Sequence, residues 1–479
     1  MTTLRGILLG LALALAASGA WADEACRVRA GADGLVIRAL VLTGQARPVI
    51  ADVAVDRDGA IACAGPDCHS ARPHAARIEC PGAVLSPGFI NLHEHLAFAH
   101  IAPRPDDGVR YGQRNDWRKG MRGFKAREDF VLSTDPDVLA WGELRHLLSG
   151  TTSIVGGSMA PGLTRNLDLQ AGLEGLNVAR ATYAIFPLGD ADGTQREGDC
   201  DYPHVATEAE VGALSAYVAH VSEGRDGAAR NEFRCLGEKD FDTTPTAAGG
   251  LSHDIVRANL VIVHGVGLTP AMLAQVGRRK SAVVWSPRSN LSLYGQTLDV
   301  AAARKAGVLL ALGTDWLPSG SISMPREADC ALAYSREHLG GLIGPRELWA
   351  MMTISPARAV HMEDAVGAIR TGLAADLILV RPALADPYEA VVRARPQDLL
   401  LVLRGGKALS GRAALMDGVA HGSAGCEPLA VNGAADTICV AAETGRSVKA
   451  LAEKMAAQGV WPAFFPGAAP VEPACETRP

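Results

Sequence analysis

The sequence predicts an α/β protein built on a (β/α) barrel, with a small β unit assembled from the two flanks of the chain. From Pro87 to about residue 364, apolar strand candidates alternate with Ala/Leu/Arg-rich helical stretches, the texture of βα units around a parallel sheet. On either side of that span the pattern shortens to alternating strands, with Asp-Gly turns on the N-terminal side. Within it, histidines and one aspartate recur at the ends of strand candidates, where barrels of this class carry their chemistry.

In chain order, residues 1–22 hold Arg5, an apolar run from Ile7 to Ala17 too short to span a bilayer, and Ala20-Trp21-Ala22. Positive, apolar and small residues in that order predict a secretory signal cut after Ala22. The mature chain is therefore expected to be exported, periplasmic or secreted, with no stable membrane insertion. Residues 23–86 form the first part of the β unit: 34–42 and 50–55 alternate, and turns are expected at Asp33-Gly34 and Asp58-Gly59. The barrel is expected over 87–364, with strands at 88–93, 151–156, 182–187, 215–220, 260–264, 281–285 and 309–314. That makes seven. The stretch 188–210 is Gly/Asp-rich and offers no good candidate; the missing strand lies there, lies near 161–168, or is degenerate. Residues 365–424 return to strand texture at 375–380 and 398–406 and are expected to complete the first β unit. Residues 425–479 read as a surface appendage, with a short helix from Gly445 to Gln458 and Cys475 near the end.

Composition narrows the class. With 479 residues, 48% of them apolar, the chain has material for a large core and a second domain. The formal net charge of −6 moves to −7 once Arg5 is removed with the signal, which excludes a phosphate-binding basic surface and hence nucleic acid as a partner. All ten cysteines lie beyond the signal, and an even number in an oxidising compartment predicts disulfides. Proximity nominates Cys63 with Cys68, Cys200 with Cys235 and Cys426 with Cys439.

The chemistry centres on Ser86-Pro87-Gly88-Phe89-Ile90-Asn91-Leu92-His93-Glu94-His95, an apolar run closing on two histidines at i and i+2. One strand end can direct both imidazoles at a single ion, at about 2.0–2.1 Å. The strand at 215–220 ends in His220-Val221-Ser222-Glu223, that at 260–264 in His264-Gly265, and that at 309–314 runs into Asp315. Taken singly, His220 or His264 reads as a satisfied core histidine and Asp315 as a helix cap. Taken together, four imidazoles and a carboxylate at strand ends form a ligand set for a transition metal and its water.

These pieces, with Ser149-Gly150-Thr151-Thr152-Ser153, Val263-His264-Gly265, Gly313-Thr314-Asp315 and the stretch 367–377, resemble the amidohydrolase superfamily over about 35–405. The resemblance implies a distorted (β/α)8 TIM barrel and a composite β-sandwich from the flanks. It makes His93 and His95 first-strand ligands, His220 and His264 ligands from the middle strands, and Asp315 the last-strand carboxylate that binds metal or takes a proton from its water. Two-metal members bridge their ions with a lysine or glutamate, and 182–187 (Thr-Tyr-Ala-Ile-Phe-Pro) offers neither. One divalent ion is therefore expected, zinc favoured over iron(II). Lys119 and Lys125 are the alternative bridges, expected instead at the surface. His220 with Glu223 resembles the mononuclear deaminase and imidazolonepropionase-like branch, in which the glutamate shuttles protons to the substrate nitrogen.

The expected activity is hydrolysis of a non-peptide carbon–nitrogen bond in a small molecule, by a deaminase or a cyclic-amide hydrolase. Glu223, Asp315 and His264 are the expected catalytic groups, with His264 either a ligand or a polariser of the substrate. Arg114 and Trp117, in the loop after the first strand, and Ser289 and Asn290, after the strand at 281–285, are candidate substrate contacts; each also fits a loop or turn role. His100, His146, His253 and His361 are expected on loops and helix faces without a role. Two other readings compete: a binuclear peptidase or lactonase of the same superfamily, and a non-catalytic exported binding protein.

Overall fold

A computed structural model describes residues 26–44, 47–127, 131–247, 249–419, 425–431, 434–460 and 472–475. The expected signal at 1–22 lies outside the described residues. Eight parallel strands build the barrel: β1 (Phe89–Asn91), β2 (Thr151–Ile154), β3 (Arg165–Asn166), β4 (Thr182–Ala184), β5 (Tyr217–Val221), β6 (Leu260–His264), β7 (Ala282–Trp285) and β8 (Leu309–Leu312). They pair as β1-β2-β3 and as β4-β5-β6-β7-β8. The edges of the two sheets meet: Asp315 N donates to His93 O at 2.8 Å, and Ala181 N to Leu167 O at 2.9 Å. Ile90, Val155, Leu167, Ala181, Val218, Val261, Val284 and Ala311, one from each strand or its immediate neighbour, share one buried apolar cluster.

The eighth strand is β3, inside the 161–168 stretch. It is two residues long, and both are polar and buried, with Arg165 2% and Asn166 0% exposed. Arg165 is held by Asp376 at 2.7 Å and by the carbonyls of Leu173 and Glu174, and Asn166 donates to Glu143 at 2.9 Å. A strand whose residues are satisfied by distant side chains carries no apolar alternation to read.

The flanks interleave in one ten-stranded sheet. Its order is Glu427–Val431, Ala434–Ile438, Lys407–Arg412, Leu399–Arg404, Leu377–Val380, Ala76–Pro87, Leu35–Val41, Val49–Val55 and Ile61–Gly65, with Arg27–Arg29 beside Ala76–Pro87. Leu377–Val380 lies antiparallel to the end of Ala76–Pro87, so the chain's return seats beside the strand that leads into the barrel. Ile37, Val53, Ile78, Leu377, Leu379, Leu401 and Leu403 enclose its core. At Gly59, φ is +84°, and a Cβ would lie 2.0 Å from the Gly405 carbonyl oxygen, so the predicted Asp58-Gly59 turn packs directly on a turn of the returning segment. The stretch expected as an appendage contributes two strands to this sheet, followed by the helix Val448–Ala457.

Five disulfides join the described cysteines. Cys63–Cys68, Cys200–Cys235 and Cys426–Cys439 are the pairs nominated by proximity; Cys26–Cys80 and Cys330–Cys475 complete the set. Among the described residues, no helix is long and apolar enough to cross a membrane.

Candidate metal centre

Each ligand candidate is placed by the end of a barrel strand. His93 and His95 follow β1, His220 is the penultimate residue of β5, His264 ends β6, and Asp315 comes three residues after β8. Ring centroids lie 5.0 Å apart for His93 and His220, 4.5 Å for His93 and His264, 5.3 Å for His93 and His95, and 5.2 Å for His220 and His264. Asp315 Oδ1 sits 3.2 Å from His93 Nε2 and 3.4 Å from His95 Nε2. Ser222, His264 and Asp315 have φ of +56°, +69° and +60°, a left-handed conformation that costs non-glycine residues energy and clusters where function holds it in place.

The donor set fits a divalent cation. His93 Nε2 and both nitrogens of His220 are buried without a hydrogen-bond partner. Orphaned polar atoms are rare in protein interiors, and convergent imidazoles with a carboxylate are a ligand set for zinc or a similar ion. His93, His220 and His264 form one candidate triad, and His93, His95 and Asp315 another. Burial lowers His95 to about 4 against the opposing pull of Asp315, and burial also lowers His220 and His264. Burial thus disfavours the charged forms of His95, His220 and His264. Burial would raise Asp315, but His93, His264 and His95 hold it well below the usual carboxylate range.

A second ring fixes these side chains, and most of it comes from Ser286 and the helix Pro287–Tyr294. Ser286 Oγ is 2.8 Å from His93 Nδ1, Asn290 Oδ1 is 2.9 Å from His264 Nδ1, and Ser289 Oγ donates to Asp315 Oδ2. Because an amide oxygen only accepts, His264 carries its proton on Nδ1 and presents Nε2 unprotonated. The main-chain N–H of Trp316 donates to Asp315 Oδ1 at 2.8 Å. Glu223 Oε2 lies 3.6 Å from His264 Nε2, while Tyr294 Oη donates to Glu223 Oε1 at 2.7 Å. Burial raises the Glu223 carboxyl, and His264 and Arg114 counter it.

The structure gathers His93, His95, His220, His264, Asp315 and Glu223, and it places the four candidate substrate contacts around them. Ser289 and Asn290 are fully buried behind Asp315 and His264, so they orient those side chains. Arg114 has a side chain 1% exposed, bidentate with Asp190 at 2.7 and 2.9 Å and donating to the Ile185 carbonyl, with Nη1 3.9 Å from Glu223 Oε2. Trp117 stands beside Trp316 with centroids 5.0 Å apart, and its indole N–H donates to Tyr294 Oη at 3.1 Å, linking the first-strand loop to Glu223. His146, expected on a helix face without a role, is fully buried, with Nε2 2.8 Å from Glu94 Oε2 behind the first-strand ligands. Sequence reasoning missed Tyr294. Its signal was present: Asn290 and Tyr294 are four apart on one helix, so they share a face.

The profile of the amidohydrolase family matches residues 216–409. A 5-methylthioadenosine/S-adenosylhomocysteine deaminase of Moorella thermoacetica is 25% identical over 380 residues, covering 70% of this chain and 83% of that protein. Among solved structures, an adenosine deaminase of Xanthomonas campestris with bound zinc superposes with a TM-score of 0.52 at 20% identity, over 78% of this chain and 92% of its own. The atrazine chlorohydrolase of Arthrobacter aurescens TC1, complexed with zinc, gives 0.51 at 17% identity, over 78% and 95%. The chain is thus similar to the amidohydrolase family over 216–409 and shares the fold of these solved structures, with its ligand candidates at the ends of β1, β5, β6 and β8.

Proposed function

We propose that the protein is an exported deaminase of an amino-substituted heterocycle, or a hydrolase of a cyclic amide, working with one divalent cation, zinc favoured. The observation that carries the reading is the buried meeting of His93, His95, His220 and Asp315, with unpartnered imidazole nitrogens, next to a His264–Glu223 pair. The relatives' names as deaminases support the carbon–nitrogen bond and a small-molecule substrate. A single ion is supported by β4, which supplies no lysine or glutamate bridge, and by Lys119 and Lys125, which are both exposed. Export is supported by the signal pattern at 1–22 and by five disulfides.

His93, His95, His220 and Asp315 would hold the ion. When bound, a divalent cation supplies Lewis acidity that lowers the pKa of water from 15.7 towards about 7. Asp315 Oδ1, kept anionic and aligned by the Trp316 N–H and Ser289, accepts the proton of the attacking water. His264, its orientation kept through Asn290, would either join the ligands through its unprotonated Nε2 or face the substrate beside Glu223. Glu223, steadied by Tyr294, passes a proton to the nitrogen as the carbon–nitrogen bond breaks, so that ammonia or the ring-opened amine leaves neutral.

The deciding experiment is elemental analysis of the protein purified from cells that export it, beside a His93→Ala/His95→Ala variant, with ammonia release and ring opening screened on heterocyclic amines and cyclic amides. About one equivalent of metal, lost in the variant, together with turnover, is expected. Two equivalents would move the search to peptides and esters, and none after reconstitution would overturn the enzyme reading. N-terminal sequencing of the exported form is expected to begin at Asp23.

A further inference from the structure

Residues 472–475 lie beyond the stretch matched to the family profile, yet they reach the shell behind the metal ligands. Glu472 is 8% exposed. Its Oε1 accepts the Ile322 N–H at 2.8 Å; its Oε2 accepts Arg326 Nε at 2.6 Å and lies 3.7 Å from Arg288. Arg288 donates to the Pro473 carbonyl and to Ser321 Oγ at 2.6 Å, and its main-chain N–H donates to Glu327. Arg288 belongs to the same helix as Ser289 and Asn290 and follows Ser286 by two residues, so it anchors the element that orients Asp315, His264 and His93. Ser321, in turn, donates its N–H to the Thr314 carbonyl, one residue before Asp315. Cys475 is bonded to Cys330, on the helix Met324–His338 that also carries Arg326 and Glu327.

We propose that residues 472–475 are a disulfide-anchored strap, and that Glu472 is a positioning residue for the cation site, acting through Arg288 and Ile322. The inference rests on reading that site as one for a divalent cation. Two guanidiniums converge on Glu472, Arg288 buried beside it and Arg326 partly exposed; removing its charge weakens the hold on Arg288, which relaxes by moving the loop and helix start it holds. The Cys330–Cys475 bond ties this segment to the helix Met324–His338. Groups that orient metal ligands alter metal affinity even where they touch no metal.

The test is zinc affinity by chelator competition on the full mature chain, for wild type, Glu472→Gln, Glu472→Asp and Cys330→Ser/Cys475→Ser, with circular dichroism to verify the fold. Glu472→Gln and the cysteine pair are expected to bind zinc about tenfold more weakly. Glu472→Asp, which keeps the charge, is expected to recover part of that loss, and Cys63→Ser/Cys68→Ser, in the flanking sheet, to match wild type. A tie of purely structural value would lower the melting temperature and leave zinc affinity unchanged; that result in folded Glu472→Gln overturns the proposal. Should Glu472→Gln not fold, unchanged affinity in the Cys330/Cys475 pair overturns it instead. If wild type itself takes up no zinc, the cation reading falls first, and the role of the strap falls with it.

Discussion

Glu143 and Asp315 are both carboxylates sealed inside the molecule, 0% and 4% exposed, yet their surroundings differ in kind. The two oxygens of Glu143 take four donors: the N–H groups of Ala160 and Thr164, the Thr164 hydroxyl and the Asn166 amide, at 2.6 to 2.9 Å. Around Asp315 the neighbours are imidazoles, and three nitrogens of that cluster have no partner. Leaving a buried polar atom unpaired costs about 1–3 kcal/mol, so the first arrangement stabilises the barrel and the second is a standing cost that a bound cation would remove. Burial alone therefore does not mark a functional carboxylate; convergent unpartnered imidazoles beside it do.

Mutations can break or sharpen that contrast. The largest effect is expected from His93→Ala/His95→Ala, which should abolish stoichiometric metal in elemental analysis and reduce hydrolysis to background; retained metal would erase the distinction between the two clusters. Glu223→Gln should lower kcat by about 10²–10⁴-fold while metal content stays at the wild-type value, since the proposed role of the side chain is proton donation and it is not among the four proposed ligands. Glu143→Gln, by contrast, should leave metal content and kcat/KM near wild type and cost about 1–3 kcal/mol in denaturant unfolding, because an amide cannot accept all four donors.

The pH dependence sharpens the same point. Burial raises the Glu143 carboxyl from 4.5 to about 7, against the opposing pull of its four donors. The folded state therefore binds this proton more tightly than the unfolded chain between those values, and stability declines as pH rises through that window, by about 3 kcal/mol from this group. Unfolding free energies of wild type and Glu143→Gln measured at pH 4.5, 6 and 7.5 should show the slope in wild type and a flatter profile in the variant; parallel profiles would refute it. The smallest effect is expected from Tyr294→Phe: loss of one hydrogen bond to Glu223, about 1 kcal/mol, should lower kcat about fivefold without changing metal content.

How much of this could be read from the chain alone depended on how local each signal was. Seven barrel strands announced themselves as apolar runs, and β3 did not, because its residues are polar, with Arg165 and Asn166 donating to Asp376 and Glu143, 211 and 23 residues away. His93, His95, His220, His264 and Asp315 stood out as polar residues closing apolar runs. That Arg114 pairs with Asp190, 76 residues on, was not legible in its loop. Three of the five disulfides join cysteines 5, 13 and 35 apart, while Cys26–Cys80 and Cys330–Cys475 span 54 and 145 residues.

The sequence by itself determined the alternation that builds the barrel, the order in which ligand residues come to strand ends, the flanking strands and a supply of cysteines for crosslinking. Those are properties of a few consecutive residues, set by side-chain period and turn chemistry. Tertiary structure alone decided which polar atoms find partners: that Glu143 is satisfied and His220 is not, that Arg114 pairs with Asp190, that Tyr294 reaches Glu223, and that Glu472 returns to Arg288. A hydrogen bond or ion pair depends on distances of about 3 Å, and residues far apart in the chain acquire such distances only when the whole barrel closes.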